Sequence, residues 1–280
     1  MPQRPPSTHD RRRRLGHALH ALRRRAALDL DEAAAVLGWT AQRLGSLEAG
    51  LATIRRADVK ELLAVYGAGD EDDARVLELL EGTSGWWAPY SDLVDDAFET
   101  LLVLEEGADR LSSHQAGLIP GLLQTRDYAW ELISTMSDQP LDRVERLVEL
   151  RQARRKALER RPRPQVTVVL DEAALRRPVG GPAVMRAQYE RLIAVAQEPE
   201  LTLRVRPLNA GPHRATSFTF HLFEFTADRP MVQTELLDRE QFIRCAEKIA
   251  LYREAFGRAL AGALDPGESV EFIAGLAARC

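Results

Sequence analysis

Cysteine is nearly absent from these 280 residues: Cys245 and Cys280 stand far apart, and neither has a second cysteine or a histidine at metal-ligand spacing. That excludes a disulfide-stapled scaffold and a thiolate metal cluster, and each thiol reads as a reduced side chain. Long apolar runs are missing too. No stretch approaches the roughly 20 residues that cross a bilayer, and the Pro-rich, basic start has no signal-peptide apolar region. A cytoplasmic protein without membrane contact is expected. The motifs of common enzymes are also lacking: there is no Gly-x-Ser-x-Gly, no phosphate loop and no His-Glu-x-x-His. His114, His213 and His221 are separate in sequence and fall in different expected elements. His221 alternates with apolar residues and reads as a sheet-surface residue. Asp171 and Glu172 follow a strand, where carboxylates commonly cap the next helix. The expectation is therefore no enzyme, no metal and no cofactor.

An overall excess of positive charge is lacking as well. A formal net charge of −4 and a pI near 5.9 argue against a general nucleic-acid coat. The charge is unevenly placed, however. Residues 10–66 hold eleven Arg and Lys against seven Asp and Glu, a net of +4; with Arg4 counted, the chain from 67 onward carries −9. A basic amino-terminal module on an acidic body suits phosphate attraction at one end and solubility or a protein partner at the other. The length accommodates two domains with a sizeable core, and 45% apolar and 29% charged residues are ordinary for a globular protein.

Residues 28–50, LDLDEAAAVLGWTAQRLGSLEAG, carry the most information. Asp29 or Asp31 can cap a first helix whose packing face is Ala33, Ala34, Val36 and Leu37, and Gly38 sits where that helix must stop. Thr40 caps a second helix in which Leu44 and Leu47 face inward while Gln42, Arg43 and Ser46 face outward. A helix presenting short polar and cationic side chains beside a bracing helix has the geometry of a helix-turn-helix DNA reader. A small helical packing module without nucleic acid is the competing reading. Leu15, Leu19 and Leu22 supply an earlier helix, Arg55 to Tyr66 a fourth, and Asp70 to about Leu80 a fifth. By position, Gln42, Arg43 and Ser46 reach base edges, Thr40 and the helix N-terminus take a phosphate, and Arg55 and Arg56 clamp phosphates. Glu48 pairs with Arg23 or Arg24 to fix the helices.

At these residues the chain resembles the lambda-repressor-like (XRE-type) helix-turn-helix family, through Glu32, Ala34, Leu37 and Gly38 and then Leu47, Glu48 and Gly50. It departs from that pattern at Gly45, Ser46 and Leu51, where the family carries polar or cationic residues. A mid-helix glycine costs about 0.5–1 kcal/mol relative to alanine. Two fewer positive charges lower counterion release, so binding that is weak or dependent on dimerisation or a partner is expected.

Residues 1–14, Pro-rich then Arg-rich, are expected to be disordered or frayed, with Arg11 to Arg14 either tracking phosphates or beginning the first helix as a solvated tail. The reader then spans 15–81. Gly82-Thr83-Ser84-Gly85 marks a boundary, and 82–280 forms a second domain. A helix begins at Thr125, another covers 141–161 with a cationic RQARRKALERR end, and a third runs from Pro182 to about Gln197. QVTVVL, TLRVRPL, SFTFHLFEF and MVQTELL read as strands, and a last helix pair follows from about Asp238. The fold class is thus α+β overall: an all-α five-helix domain, then an α+β domain with about four strands packed on helices. Trp86, Trp87, Tyr128 and Trp130 are expected either to line an apolar cavity for a ligand or to make ordinary core.

The order GWWAPYSD, IPGLLQTRDYA, VELRQARR, LDEAALRRPVGGPAVMRAQ and LFEF is similar to one actinobacterial group, the XRE-type regulators with an uncharacterised C-terminal domain known from WhiJ-like developmental regulators. The resemblance implies a transcriptional regulator, commonly paired with a small acidic partner protein, and leaves the chemistry of the second domain open. Double-stranded DNA is the expected partner and a homodimer the expected state. The second domain senses a small-molecule effector, holds a protein partner, or is an enzymatic module beside a weak DNA reader; the residues leave these open.

Overall fold

The computed structural model describes residues 7–155, 159, 162–237 and 239–280. They form two compact units, 1–107 and 108–280, each with its own core.

The first unit opens with α1 (Thr8–Arg25), started by a capping box in which Ser7 and Asp10 satisfy each other's backbone amides. Asp10 in its first turn and Arg23, Arg24 and Arg25 in its last complement the helix dipole. Helix α2 (Leu30–Val36) has a second capping box, Asp29 with Glu32, and Gly38 leaves it at φ +67°, a backbone conformation that glycine adopts without strain. Then come α3 (Ala41–Glu48), α4 (Arg56–Val65) and α5 (Asp70–Leu80). Leu15, Leu19, Leu22, Ala33, Ala34, Leu44, Val59, Leu62, Leu63, Tyr66 and Val76 close one core among these five helices. A short turn at Ala88–Tyr90 leads to α6 (Asp96–Gly107).

Two expectations about the boundaries are corrected. Residues 8–14 are helical, because the Ser7 cap nucleates α1 and Arg12, only 2% exposed, donates to the Thr83 carbonyl and to Glu99. The first unit extends past residue 82 through α6, to which Thr8 is also tied by hydrogen bonds to Glu106. The Pro-rich residues 1–6 lie outside the described residues, as do 156–158, 160 and 161 of the cationic run and Asp238.

The second unit is a six-stranded mixed sheet in the order β3-β2-β1-β4-β5-β6. Strand β1 (Arg110–Gln115) is followed by α7 (Arg126–Met136), capped by Thr125, and α8 (Leu141–Arg154). Strand β2 (Gln165–Asp171) runs into the short α9 (Glu172–Arg176) and then α10 (Pro182–Val195). Strands β3 (Leu201–Arg206), β4 (Phe220–Glu224), β5 (Met231–Glu235) and β6 (Glu240–Ile243) precede α11 (Ala246–Ala261) and α12 (Pro266–Ala277). Strands β1, β2 and β3 are parallel neighbours; β4, β5 and β6 form an antiparallel meander from the other edge of β1. On one sheet face Val169, Phe220, Leu222, Val232 and Ile243 pack against Ile249 and Phe256 of α11.

Six strands stand where about four are expected. Strand β1, RLSSHQ, escapes pattern reading because three of its four buried positions are polar, Ser113, His114 and Gln115, with Leu111 the one apolar residue. Strand β6 takes the start of the segment read as the last helix pair, which begins instead at Ala246. The helix expected over 141–161 runs from Leu141 to Arg154 and is left at Arg155, and Arg154 is buried rather than part of a solvated face.

Candidate nucleic-acid interface

Thr40 occupies the N-cap of α3, its hydroxyl accepting from the Arg43 amide at 3.1 Å. Leu44 and Leu47 point into the core, Gln42 and Arg43 are exposed, and Ser46 is half-buried. The four residues assigned to the outer face of α3 therefore share one surface at its first turns. The Arg43 guanidinium lies over the Trp39 ring, 3.9 Å from its centre, and donates to Asp58 at 3.1 Å. Asp58 also receives Arg55 Nε at 3.4 Å, which brings one carboxylate between two of the six expected DNA contacts. Arg56 begins α4 and is exposed. Trp39 and Asp58 escaped the sequence reading. Trp39 lies four residues before Arg43, spacing that could have suggested the stack; nothing local points to Asp58.

Helix α3 is braced from behind. Glu48 accepts two bonds from Arg23, Nε at 2.6 Å and Nη2 at 2.8 Å, and a third contact from His20 at 2.7 Å. Burial alone would raise the Glu48 carboxyl, but the bonds from Arg23 and His20 outweigh it and hold it below the ordinary carboxylate range. Such a buried, bidentate pair fixes one relative placement of α1 and α3. The two helices also meet at Gly16, where a Cβ would stand 2.5 Å from the Glu48 carbonyl oxygen. Gly50 ends α3 at φ +73°, with Arg13 backbone 2.7 Å from where its Cβ would be. Leu51, where the resemblance leads one to expect a cation, is 8% exposed and belongs to the packed interior.

The basic arm does not form among the described residues. Arg12 is committed to Thr83 and Glu99, with its guanidinium 5.6 Å from the Trp87 ring, and Arg11 donates to the Gly82 carbonyl. The four aromatics of the expected pocket separate as well. Trp86 and Trp87 belong to the first unit, edge-to-face with ring centres 5.5 Å apart, and Trp87 donates to Glu99 at 2.9 Å. Trp87 lines a cleft of about 530 Å³ together with Arg12, Thr53 and Glu99. Tyr128 and Trp130 belong to the second unit: Tyr128 is fully buried, and Trp130 packs on Ala129, Ile133, Val144 and Val148. Two of the four thus lie in each unit.

The histidines of the second unit also differ from expectation. His221 is not a sheet-surface residue. It is 8% exposed, pairs in register with Ser113 and Gln233, and burial pushes its imidazole down to about 3, with Arg154 adding to the effect. On the opposite sheet face, His114 at the end of β1 and His213 in the β3–β4 loop converge on Asp171 at the end of β2. Burial holds the imidazoles of His114 and His213 below the ordinary histidine range. Asp171 stands at the N-cap of α9 without capping it through its side chain. Cys245 and Cys280 are free thiols.

Five helices sharing one core, with an exposed, capped second helix of a helix-turn-helix pair, have the arrangement of a helix-turn-helix domain. Residues 14–77 match a helix-turn-helix domain family, which supports a DNA-binding regulator. Residues 98–275 match the family described as a domain of unknown function, DUF5753, and since this covers more than half of the chain, the protein belongs to that family. Comparison with curated proteins and with solved structures returns no match. Among the described residues no helix is long and apolar enough to cross a membrane.

Proposed function

We propose that this protein is a cytoplasmic, sequence-specific transcriptional regulator that reads double-stranded DNA with α3 in the major groove. The observation that carries the reading is the surface of α3: Gln42 and Arg43 exposed beside a capped N-terminus, on a helix whose other side is locked by Glu48 and Arg23. Gln42 suits adenine and Arg43 guanine, and Thr40, Arg55 and Arg56 suit backbone phosphates, with Ser46 at the edge of the same surface. Asp58 holds Arg43 and Arg55 in the free protein, and contact with DNA requires both to exchange that carboxylate for phosphate or base. This exchange offsets part of the binding energy and accords with a modest affinity.

The second unit serves regulation in this reading, as a sensor or as the holder of a partner such as a small acidic protein, in a homodimer of the kind helix-turn-helix readers usually form, and carries out no catalysis. The test is fluorescence anisotropy with duplexes selected from a random pool, against scrambled controls, over a series of salt concentrations. Gln42→Ala with Arg43→Ala should abolish selectivity, each lost base contact costing about 1–3 kcal/mol. Asp58→Asn should strengthen binding to any duplex and steepen its salt dependence. Equal affinity of the native chain for selected and scrambled duplexes would remove sequence-specific reading from this protein.

A further inference from the structure

We propose that His114, Asp171 and His213 form a binding site for one divalent transition-metal ion, of the class that takes two imidazoles and a carboxylate, with zinc as the reference ion. Three chain segments meet there: the ends of the parallel strands β1 and β2, and the loop before β4. Ends of parallel strands at a point where the sheet changes direction are where α/β proteins assemble ligand sites, and β1 has β2 parallel on one side and β4 antiparallel on the other.

The geometry fits a small cation. His114 Nε2 lies 4.0 Å and His213 Nε2 3.7 Å from Asp171 Oδ2, and one ligand atom from each residue lies within 4.8 Å of the others. Tetrahedral coordination with bonds of about 2.1 Å places ligand atoms about 3.4 Å apart, so the pairs with Asp171 must contract by about 0.6 Å at His114 and about 0.3 Å at His213. The side chains are 0%, 10% and 5% exposed for His114, Asp171 and His213. Each of the three atoms aimed at the centre, His114 Nε2, Asp171 Oδ2 and His213 Nε2, has no hydrogen-bond partner among the described residues. Three converging buried polar atoms left without partners are costly unless something satisfies them together.

The surroundings prepare His114 as a ligand. Its Nδ1 lies 2.8 Å from the Phe218 carbonyl oxygen, which can only accept, so Nδ1 carries the proton and Nε2 presents its lone pair. Phe220 stacks on the same ring, 5.6 Å between centres, and fixes its plane. His213 is held by its loop, where its amide donates to Thr216 Oγ1 at 2.7 Å and the Thr216 hydroxyl donates back to the His213 carbonyl. Two features oppose a cation. The Ala215 amide approaches His213 Nδ1 at 3.3 Å, a long contact that ligation through Nε2 would break. Arg206 is buried nearby, donating to the Ala210, Gly211 and Ala259 carbonyls, and its charge lowers the affinity without occupying the site. An imidazole pair with one carboxylate leaves coordination positions open for a small ligand.

The experiment uses the full chain, stripped with a chelator and titrated with Zn2+ and Co2+ in competition with a chromophoric chelator, beside His213→Ala and Asp171→Asn. One ion per chain is expected, bound at least about 100-fold more weakly by either variant, with the circular dichroism of the metal-free variants unchanged. His213→Cys should restore binding and add a thiolate charge-transfer band to the Co2+ spectrum, which only direct ligation at residue 213 produces. No uptake of either ion, equal binding by native chain and variants, or a thiolate band in the native Co2+ protein would each overturn the site, the last by placing the ion at Cys245 or Cys280.

Discussion

In the first unit Glu48 accepts from Arg23 and His20, and Glu99 from Arg12 and Trp87, so these two carboxylates are answered by side chains of the same unit, while Arg12 Nη1 and Tyr66 OH are buried without a hydrogen-bond partner among the described residues. In the second unit His114, Asp171 and His213 turn three polar atoms toward one point without such an answer, and His221 and Gln233 bury further unsatisfied atoms in the sheet. Closed networks fix geometry, which a DNA-reading helix needs. Open ones cost stability, and they persist in folded proteins where a ligand, a proton or a switch uses them.

The largest test of that contrast is Glu48→Ala. It strands the buried Arg23 guanidinium and should lower the stability of the first unit by about 3–5 kcal/mol, measured by thermal denaturation. Replacing the pair together, Arg23→Met with Glu48→Leu, should recover most of the loss; if the double variant is as unstable as the single, the pair does not brace the two helices. Next in size is Gly16→Ala. Its methyl meets the Glu48 and Leu47 carbonyls at 2.5 and 2.7 Å, and moving α1 off α3 should cost about 1–3 kcal/mol and weaken DNA binding together with stability.

Acid should separate the two units. The folded state keeps the His221 imidazole neutral down to about 3, whereas the unfolded chain takes up that proton below its ordinary value of about 6.5. The unfolded state therefore binds more protons within that window, and stability falls as pH falls through it, by up to about 1.4 kcal/mol per pH unit for this one group. Glu48 behaves differently. Its lowered carboxyl contributes stability that is fully present above the ordinary carboxylate range and is lost as pH falls from that range through the lowered folded value. Peptide-resolved hydrogen exchange at a series of pH values should show the second unit loosening first, with His221→Phe flattening its slope. A first unit that loosens at the higher pH would reverse the comparison. The smallest effect is Gly45→Ala, where a Cβ meets only Leu30 Cδ2 at 3.5 Å; α3 should gain about 0.5–1 kcal/mol in the same thermal assay.

Much of the first unit was legible because its instructions are local. Asp29 with Glu32, Thr40 ahead of Arg43, and the spacing of Leu44 and Leu47 are all read within one or two helical turns, and the Arg23–Glu48 pair follows from the motif. The burial of Arg12 was not legible, since four consecutive arginines read as a tail until Glu99 and Thr83 arrive from 87 and 71 residues away. In the second unit, β2, β3, β4 and β5 show themselves through β-branched and apolar runs. Strand β1 does not, because Ser113, His114 and Gln115 are buried for their polar contacts rather than for hydrophobicity.

By itself, then, the sequence determined where α2 to α5 start and stop, which side of α3 faces outward, and the α+β class of the second domain; caps, glycines and hydrophobic periodicity act over a few residues and leave a direct trace. The tertiary structure alone decided that Asp58 holds Arg43, that the four expected pocket aromatics fall into two units, and that His114, Asp171 and His213 meet. The parallel pairing of β1 with β2 and the return of the loop before β4 bring those last three residues together. Pairing between strands so far apart in the chain rests on the whole packed sheet, which no short segment encodes.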